Sequence, residues 1–402
     1  MKQTLFIGEY ASRNVGDGII KLAIETLCAK HGVAATFRDF YGGTPVAPES
    51  PADPFNAPTP QAGNPAPRTR PWPQRAWQAL LRIALVNYSI ALLFYATRYR
   101  RIAASYDVAR YQQVIIGGGN LLMDNYLNFP LLILRIVQQC ERHGVPVKLF
   151  SVGAGKRYSW LGRKIMARVL QSKAVSCVIC RDANTHHLIS DIAGESARHK
   201  IRCSADCGLY LTRNNFLAAP TNTVGLGVIA PVALQAVAPD HPMADARYAL
   251  QWWDALIGAL AEQVGADHIE LISNGSGVDN DFAHAVWHAL SPKYPGLSVC
   301  TSIASPGDLL QRIGSYKALA AYRMHAAVTA MALDVPVIGF EWDPKVLQLF
   351  THCGKREACI PLAEFTQHPV RDVIAALLRQ TPAQLAPIRQ ALDRDFRHAT
   401  LA

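Results

Sequence analysis

Short apolar runs and amphipathic stretches take turns along the whole chain. Leu5–Gly8 reads as a strand, and Gly18–Lys30 as a helix with Ile19, Ile20, Leu22, Ala23 and Leu27 on one side and Gly32 as its stop. Further on come the strand Val114–Ile116, a helix over Leu131–Arg142 ended by Gly144, the strand Val147–Val152, a helix over Leu161–Gln171, the strand Val175–Ile179 and a helix over Asn184–Ile192. A second series follows the polar stretch Thr212–Thr223. Its strands are Val224–Ile229, His268–Ile272, Leu297–Val299, Lys317–Ala321 and Val335–Phe340. Its helices lie over Ala246–Val264, Asp279–Leu290, Pro306–Ile313 and His325–Leu333. Repeated βα alternation predicts parallel sheets covered by helices. The expected organisation is two α/β domains, 1–215 and 224–375, with further helices over 376–402. Open parallel sheets bind ligands at the carboxyl ends of their strands, so the active site is expected in a cleft between the domains.

An insertion at about 44–110 interrupts the first series. Thr44 to Gln74 holds ten of the 25 prolines and reads as an irregular, exposed loop. Arg75 to Arg110 then carries six arginines and one acid, Asp107, around the apolar run Ile83–Ala96. That run is too short to span a bilayer at about 20 residues. It fits either a helix packed on the core or a basic interfacial helix on an anionic membrane.

Composition narrows the class. In 402 residues there are 40 Lys+Arg against 30 Asp+Glu, a formal charge of +10, with 50% hydrophobic and 17% charged residues. Disorder and coiled-coil compositions are excluded. The moderate, dispersed basic excess favours small anions, phosphates or an anionic membrane over nucleic acid. Only Leu5 to Gly8 separate the N-terminal polar residues from Glu9, too few for a signal-peptide core. Nine scattered cysteines, an odd number, suggest reduced thiols, so a cytoplasmic place is expected. Cys177 and Cys180 have zinc-like spacing. They lie on a strand-like segment, however, where residues three apart point to opposite faces, so no metal site is expected.

Five loops could carry chemistry. Asn14-Val15-Gly16-Asp17-Gly18 opens the first helix, where glycines let backbone amides approach an anion and Asp17 or Asn14 could equally be a cap. Ile116-Gly117-Gly118-Gly119-Asn120 follows a strand, with the acid Asp124 nearby. Ser151-Val152-Gly153-Ala154-Gly155-Lys156 resembles a P-loop fragment, but Phe150 and Arg157 stand where that motif needs Gly and Ser or Thr. Tyr158 likewise replaces the last glycine of the dinucleotide fingerprint. Cys180-Arg181-Asp182 places an arginine at a strand end, either for a bidentate grip on an anion or for pairing with Asp182. Tyr322-Arg323-Met324-His325 also follows a strand, and Lys345 comes twenty residues after His325. Two cations and an imidazole at successive strand ends form an anion pocket containing a proton carrier.

In order along the chain, these loops resemble the polysaccharide pyruvyl transferase family. The landmarks are Asn14 to Asp17, Gly117 to Asp124, Gly153-Ala154-Gly155, Arg181-Asp182, Ala205-Asp206, Ser273-Asn274-Gly275 with Asp279, Arg323-x-His325, and Pro336 through Lys345. They span about residues 4 to 350; the insertion is not part of the pattern.

The resemblance implies two Rossmann-like parallel-sheet domains similar to the glycosyltransferase B architecture. It also implies transfer from phosphoenolpyruvate to two hydroxyls of a sugar, forming a pyruvate ketal in bacterial cell-surface or exopolysaccharide synthesis. The acceptor would be a sugar or lipid-linked oligosaccharide, which places the enzyme at the inner face of the plasma membrane. His325 and Asp124 carry over as catalytic residues, and Arg181, Arg323 and Lys345 as phosphoenolpyruvate ligands. Asn14, Asp17, Gly118, Gly119, Asn120, Gly153, Gly155 and Asn274 carry over as loop contacts. No cofactor or metal is implied, since the cations supply charge stabilisation. Two other readings stay open: a nucleotide-sugar glycosyltransferase, and an inactive membrane-peripheral assembly subunit. Against the first, Leu349 stands eight residues after Glu341, where retaining members of that group often carry a second glutamate.

Overall fold

A computed structural model of the chain describes residues 3–10, 15–41, 84–124, 126–155, 158–213, 219–235, 237–275, 277–300, 302–362, 364 and 369–401. Asn14, Lys156, Arg157, the Pro-rich stretch and the arginines at 75 and 82 lie outside these. The chain divides into two compact units: residues 1–11, 32–203 and 398–402, and residues 12–31 and 204–397.

Unit 1 is built on six parallel strands in the order β2-β1-β3-β4-β5-β6. They are β1 Thr4–Gly8, β2 Ala35–Asp39, β3 Gln113–Leu122, β4 Val147–Ala154, β5 Val175–Cys180 and β6 Ile201–Cys203. Most positions of β1, β3, β4 and β5 are buried, because helices cover a parallel sheet on both faces. Helix α1 (Val15–His31) leaves β1 but belongs to unit 2. The helices of unit 1 proper begin with α2 (Ala84–Ala96), α3 (Arg98–Ser105), α4 (Asn128–Arg142) and α5 (Trp160–Gln171). They continue with α6 (Ala183–Ala193) and the single turn α7 (Glu195–Arg198). Local chemistry sets the starts: Ser159 caps α5 by accepting from Gly162, and Asp182 caps α6 by accepting from Thr185.

Two expectations change here. The triple glycine is not a turn after a short strand; β3 runs through it. Gly118 and Gly119 take φ of 81° and 75°, and the register with β4 shifts between Gly119 and Leu122. A bulge in mid-strand needs that left-handed backbone, which glycine adopts without a Cβ penalty. The basic segment also packs in part as core. Ala91, Tyr99, Ile102 and Ala103 are buried in the unit 1 cluster, whereas Leu92, Leu93, Arg98, Arg100 and Arg101 are exposed.

Unit 2 carries six parallel strands in the order β12-β11-β10-β7-β8-β9. They are β7 Val224–Gly227, β8 Ile269–Ile272, β9 Ser298–Cys300, β10 Ala318–Ala321, β11 Val337–Phe340 and β12 Cys359–Ile360. Its helices are α8 (Pro231–Gln235), α9 (Ala246–Val264), α10 (Gly277–Leu290), α11 (Pro306–Ser315), α12 (Met324–Ala332), α13 (Pro344–His352), α14 (Val370–Arg379) and most of α15 (Ala386–Leu401). The order reverses between β7 and β10. Chains leaving these two strands depart to opposite sides and open a crevice at their carboxyl ends.

The division differs from the one expected at 1–215 and 224–375. Helix α1 packs on unit 2 because its small residues admit close approach. A Cβ on Gly16 would meet that of His325 at 2.6 Å, and one on Gly18 would meet Pro306 Cγ at 2.3 Å. From the other side, a Cβ on Gly208 would meet Val328 at 2.7 Å and Ile19 at 3.3 Å. The last helices also differ: α14 begins at Val370, before the expected 376.

Candidate active site

The crevice of unit 2 collects the charged residues that follow its strands. Arg323 comes two residues after β10 and is the N-cap of α12; His325 sits in that helix's first turn. Asp279 occupies the first turn of α10, after β8, and Lys345 the first turn of α13, after β11. Each lies at a helix start, where the backbone amides favour anionic partners. Asp343 caps α13, accepting from the Lys345 amide at 3.0 Å, with Pro344 in the first helical position.

Asp279 is completely buried, and both its oxygens are used. Oδ1 accepts from the Ala230 amide at 2.8 Å and Oδ2 from Arg323 Nε at 2.7 Å. Nε is the atom bonded to the acid, and a guanidinium anchored in this way can still use its terminal nitrogens to grip an oxyanion with two parallel bonds. The Arg323 guanidinium lies 4.9 Å from the centre of the Trp342 ring, and Lys345 Nζ lies 5.1 Å from the same centre. One indole therefore carries two cations, and its π face offsets part of their repulsion. Trp342 is itself pinned, its Nε1 donating to the Tyr322 carbonyl at 2.8 Å. The completely buried Tyr322 has its phenol pushed well up by burial and packs on Phe340 at 4.5 Å. His325 is nine-tenths buried, with Nδ1 3.4 Å from Asp17 Oδ1. Asn274 is buried in the loop between β8 and α10.

Unit 1 holds a second constellation. Arg181, 4% exposed, donates from Nη2 to Asn120 Oδ1 at 2.7 Å, and its Nε lies 3.5 Å from Asp182. Gly153 makes room for it: a Cβ there would meet Arg181 Nε at 2.5 Å and Asn120 Oδ1 at 2.6 Å. Arg181 thus joins β3, β4 and the end of β5, and it also has the Asp182 contact, one of the two alternatives that the sequence leaves open. Asp124 receives the Leu127 amide on Oδ1 at 2.9 Å and the Ser159 amide on Oδ2 at 2.6 Å. It ties the turn after β3 to the start of α5, and its charge adds to burial in pushing the Tyr158 phenol up. Gly155 donates to the Leu122 carbonyl at 2.9 Å.

Unit 2 therefore gathers Arg323, His325, Lys345 and Asp17, and unit 1 gathers Asn120, Gly153 and Arg181. Sequence reasoning did not single out Trp342 as a platform or Asp279 as the anchor of Arg323. An aromatic beside a cation in Glu341-Trp342-Asp343-Pro344-Lys345 was the available signal for the first. The second pairs residues 44 apart and left no local sign. Among the described residues, no group of three or more His, Cys, Asp or Glu could hold a metal ion.

Comparison with solved structures shows the fold. UDP-GlcNAc 2-epimerase from Methanocaldococcus jannaschii aligns over 100% of both chains with a TM-score of 0.51 at 10% identity. A putative UDP-N-acetylglucosamine 2-epimerase from Listeria monocytogenes aligns over 100% of this chain and 98% of its own, with a TM-score of 0.51 at 9% identity. Both support the glycosyltransferase B type of architecture. No curated protein matches the sequence. The family description "Polysaccharide pyruvyl transferase" matches residues 14–344, most of the chain. The chain belongs to the polysaccharide pyruvyl transferase family, whose role is pyruvyl transfer in polysaccharide biosynthesis.

Proposed function

We propose that the protein takes phosphoenolpyruvate as donor and closes a pyruvate ketal across two hydroxyls of a sugar. The observation that carries this reading is the pair Arg323 and Lys345 brought to one indole ring, that of Trp342, with Arg323 two residues from His325. Phosphoenolpyruvate bears a carboxylate and a phosphate, so it needs two fixed cations and a proton donor. Arg323 takes one anionic group in a bidentate grip and Lys345 neutralises the other.

His325, as imidazolium, protonates the methylene carbon, and positive charge develops at C2. A sugar hydroxyl adds to C2 and gives up its proton to the now neutral imidazole. The C2–O bond to phosphate then breaks, phosphate leaves with the bonding pair, and the second hydroxyl closes the ring, its proton passing to the departing phosphate while His325 remains as imidazolium for the next cycle. The cations oppose the charge on departing phosphate, the form of stabilisation that usually contributes most. In unit 1, Asp124 keeps for an acceptor hydroxyl the lone pairs that its two backbone amides leave. Arg181 acts through Asn120 in setting the glycine strands.

The test is incubation with phosphoenolpyruvate or UDP-sugars and a sugar acceptor, with product detected by mass. A gain equal to one pyruvic acid less one water supports the ketal. Transfer of a sugar from UDP-sugar alone overturns it in favour of a glycosyltransferase. Activity is expected to survive EDTA, since the reaction uses side-chain cations.

The exposed face of α2 and α3 suits an anionic membrane carrying a lipid-linked acceptor. Leu92 and Leu93 are 47% and 61% exposed, and Arg98, Arg100 and Arg101 are exposed beside them. Among the described residues, no helix is long and apolar enough to cross a membrane. The expected attachment is peripheral: sedimentation with anionic but not neutral vesicles, reversed by salt. Replacing the three arginines by glutamine should abolish it while Tyr99 and Ile102 keep the helix seated. Equal binding by wild type and triple variant would remove the membrane role.

A further inference from the structure

We infer that Asp17 is the positioning residue of His325, holding the imidazole in the tautomer and orientation that transfer requires. The inference rests on the reading of His325 as proton carrier and adds a residue from a helix about 300 positions away in sequence (325 − 17).

Three observations carry it. First, Asp17 Oδ1 and His325 Nδ1 are 3.4 Å apart, with the side chains only 20% and 10% exposed, so water competes weakly for either. Second, the approach is enforced by backbone. Gly16 stands so close that a Cβ would lie 2.6 Å from His325 Cβ and 2.9 Å from Nδ1. Only a residue without a side chain brings the first turn of α1 this near the ring, and the next residue is the acid. Third, the pair lies within one unit, with residues 12–31 and 204–397 together. Its geometry therefore belongs to the packing of that unit.

A neutral imidazole has one protonated nitrogen. A carboxylate facing Nδ1 accepts from it, so the proton resides there and Nε2 is the basic nitrogen. When the ring is doubly protonated, the same carboxylate faces the added charge and Nε2–H is the acid. One fixed contact thus serves both halves of the cycle, protonation of the methylene carbon and removal of a hydroxyl proton. The ordinary role of an acid in the first turn of a helix is to oppose the macrodipole. That role needs no particular side-chain direction and has no effect on the tautomer of a distant ring.

The experiment uses the whole protein labelled with ¹⁵N-histidine. Wild type is expected to show the neutral His325 ring protonated at Nδ1. In Asp17→Asn the tautomer should shift toward Nε2–H, with kcat falling on the order of 10²-fold and KM for phosphoenolpyruvate changing little. Asp17→Glu, which keeps the carboxylate, should recover part of kcat and of the wild-type spectrum. Gly16→Ala should disturb the ring resonances with Asp17 intact. Unchanged His325 resonances in Asp17→Asn overturn the inference, as does a loss confined to thermal stability. The spectra are read without substrate. A wild type that shows the Asp17-dependent tautomer but does not use phosphoenolpyruvate leaves the pairing standing and defeats the donor assignment alone.

Discussion

His325→Gln is expected to turn over about 10²–10⁴ times more slowly than wild type, the usual scale for a group that moves a proton in the rate-determining step. Glutamine nearly matches imidazole in reach and keeps a polar end beside Asp17, so the packing of α12 on Gly16 should survive. Donor affinity should change little, because Arg323 and Lys345 remain on Trp342. Calorimetry with phosphoenolpyruvate and a thermal melt separate these effects: binding and unfolding close to wild type, with turnover lost. Wild-type turnover in the variant would remove His325 from the reaction. Loss of binding and turnover together would make it a ligand instead of an acid.

Asp279→Ala is expected to cost stability and donor affinity at once. The carboxylate is completely buried and accepts from the Ala230 amide and from Arg323. Alanine strands a buried N–H and frees the arginine, and breaking a buried pair by removing one partner costs about 3–5 kcal/mol. Arg323 is about one-quarter exposed and can turn to solvent, which places the expected loss at the lower end, near 3 kcal/mol. For a unit of this size that lowers Tm by roughly 6–12 °C. Asp279→Asn keeps an acceptor for Ala230 but loses the charge facing Arg323. It should melt nearer to wild type and still bind phosphoenolpyruvate less tightly. A melt and an affinity both unchanged in Asp279→Ala would show that the buried acid does not position Arg323.

The central strands were legible because both faces of a parallel sheet are buried, which writes them as continuous apolar runs. Val147–Val152 and Val175–Ile179 are of this kind. The edge strands were not. β2, Ala-Thr-Phe-Arg-Asp, is half-buried throughout, β6 exposes Arg202 and Cys203, and β12 has only two residues. Short, half-buried segments have no periodicity to detect. Among the candidate residues, those at strand ends could be found singly because a glycine or cation after an apolar run is a local pattern. Their relations could not: Asp17 with His325, Asp279 with Arg323, and Arg181 with Asn120 are all made by topology. The placement of α1 was misjudged for the same reason, since its apolar side looks alike whichever sheet it covers.

That placement has a consequence for how the protein is made. A ribosome releases β1 and α1 early, yet α1 finds its seat only after His325 has emerged, most of the chain later. Unit 1 also waits. Buried Gln113 donates to the Thr400 carbonyl at 2.8 Å, a bond spanning 287 positions, so its sheet lacks this partner until synthesis reaches those last turns of α15. Neither unit has all its segments as a nascent fragment, and the apolar side of α1 waits for its unit 2 partners through much of translation. Loop closure over such distances is slow, and transiently bare apolar helices aggregate. Dissecting the chain at the polar linker near residue 215 would separate α1 from its partner permanently, whereas a split that respects the units requires a circularly rearranged gene.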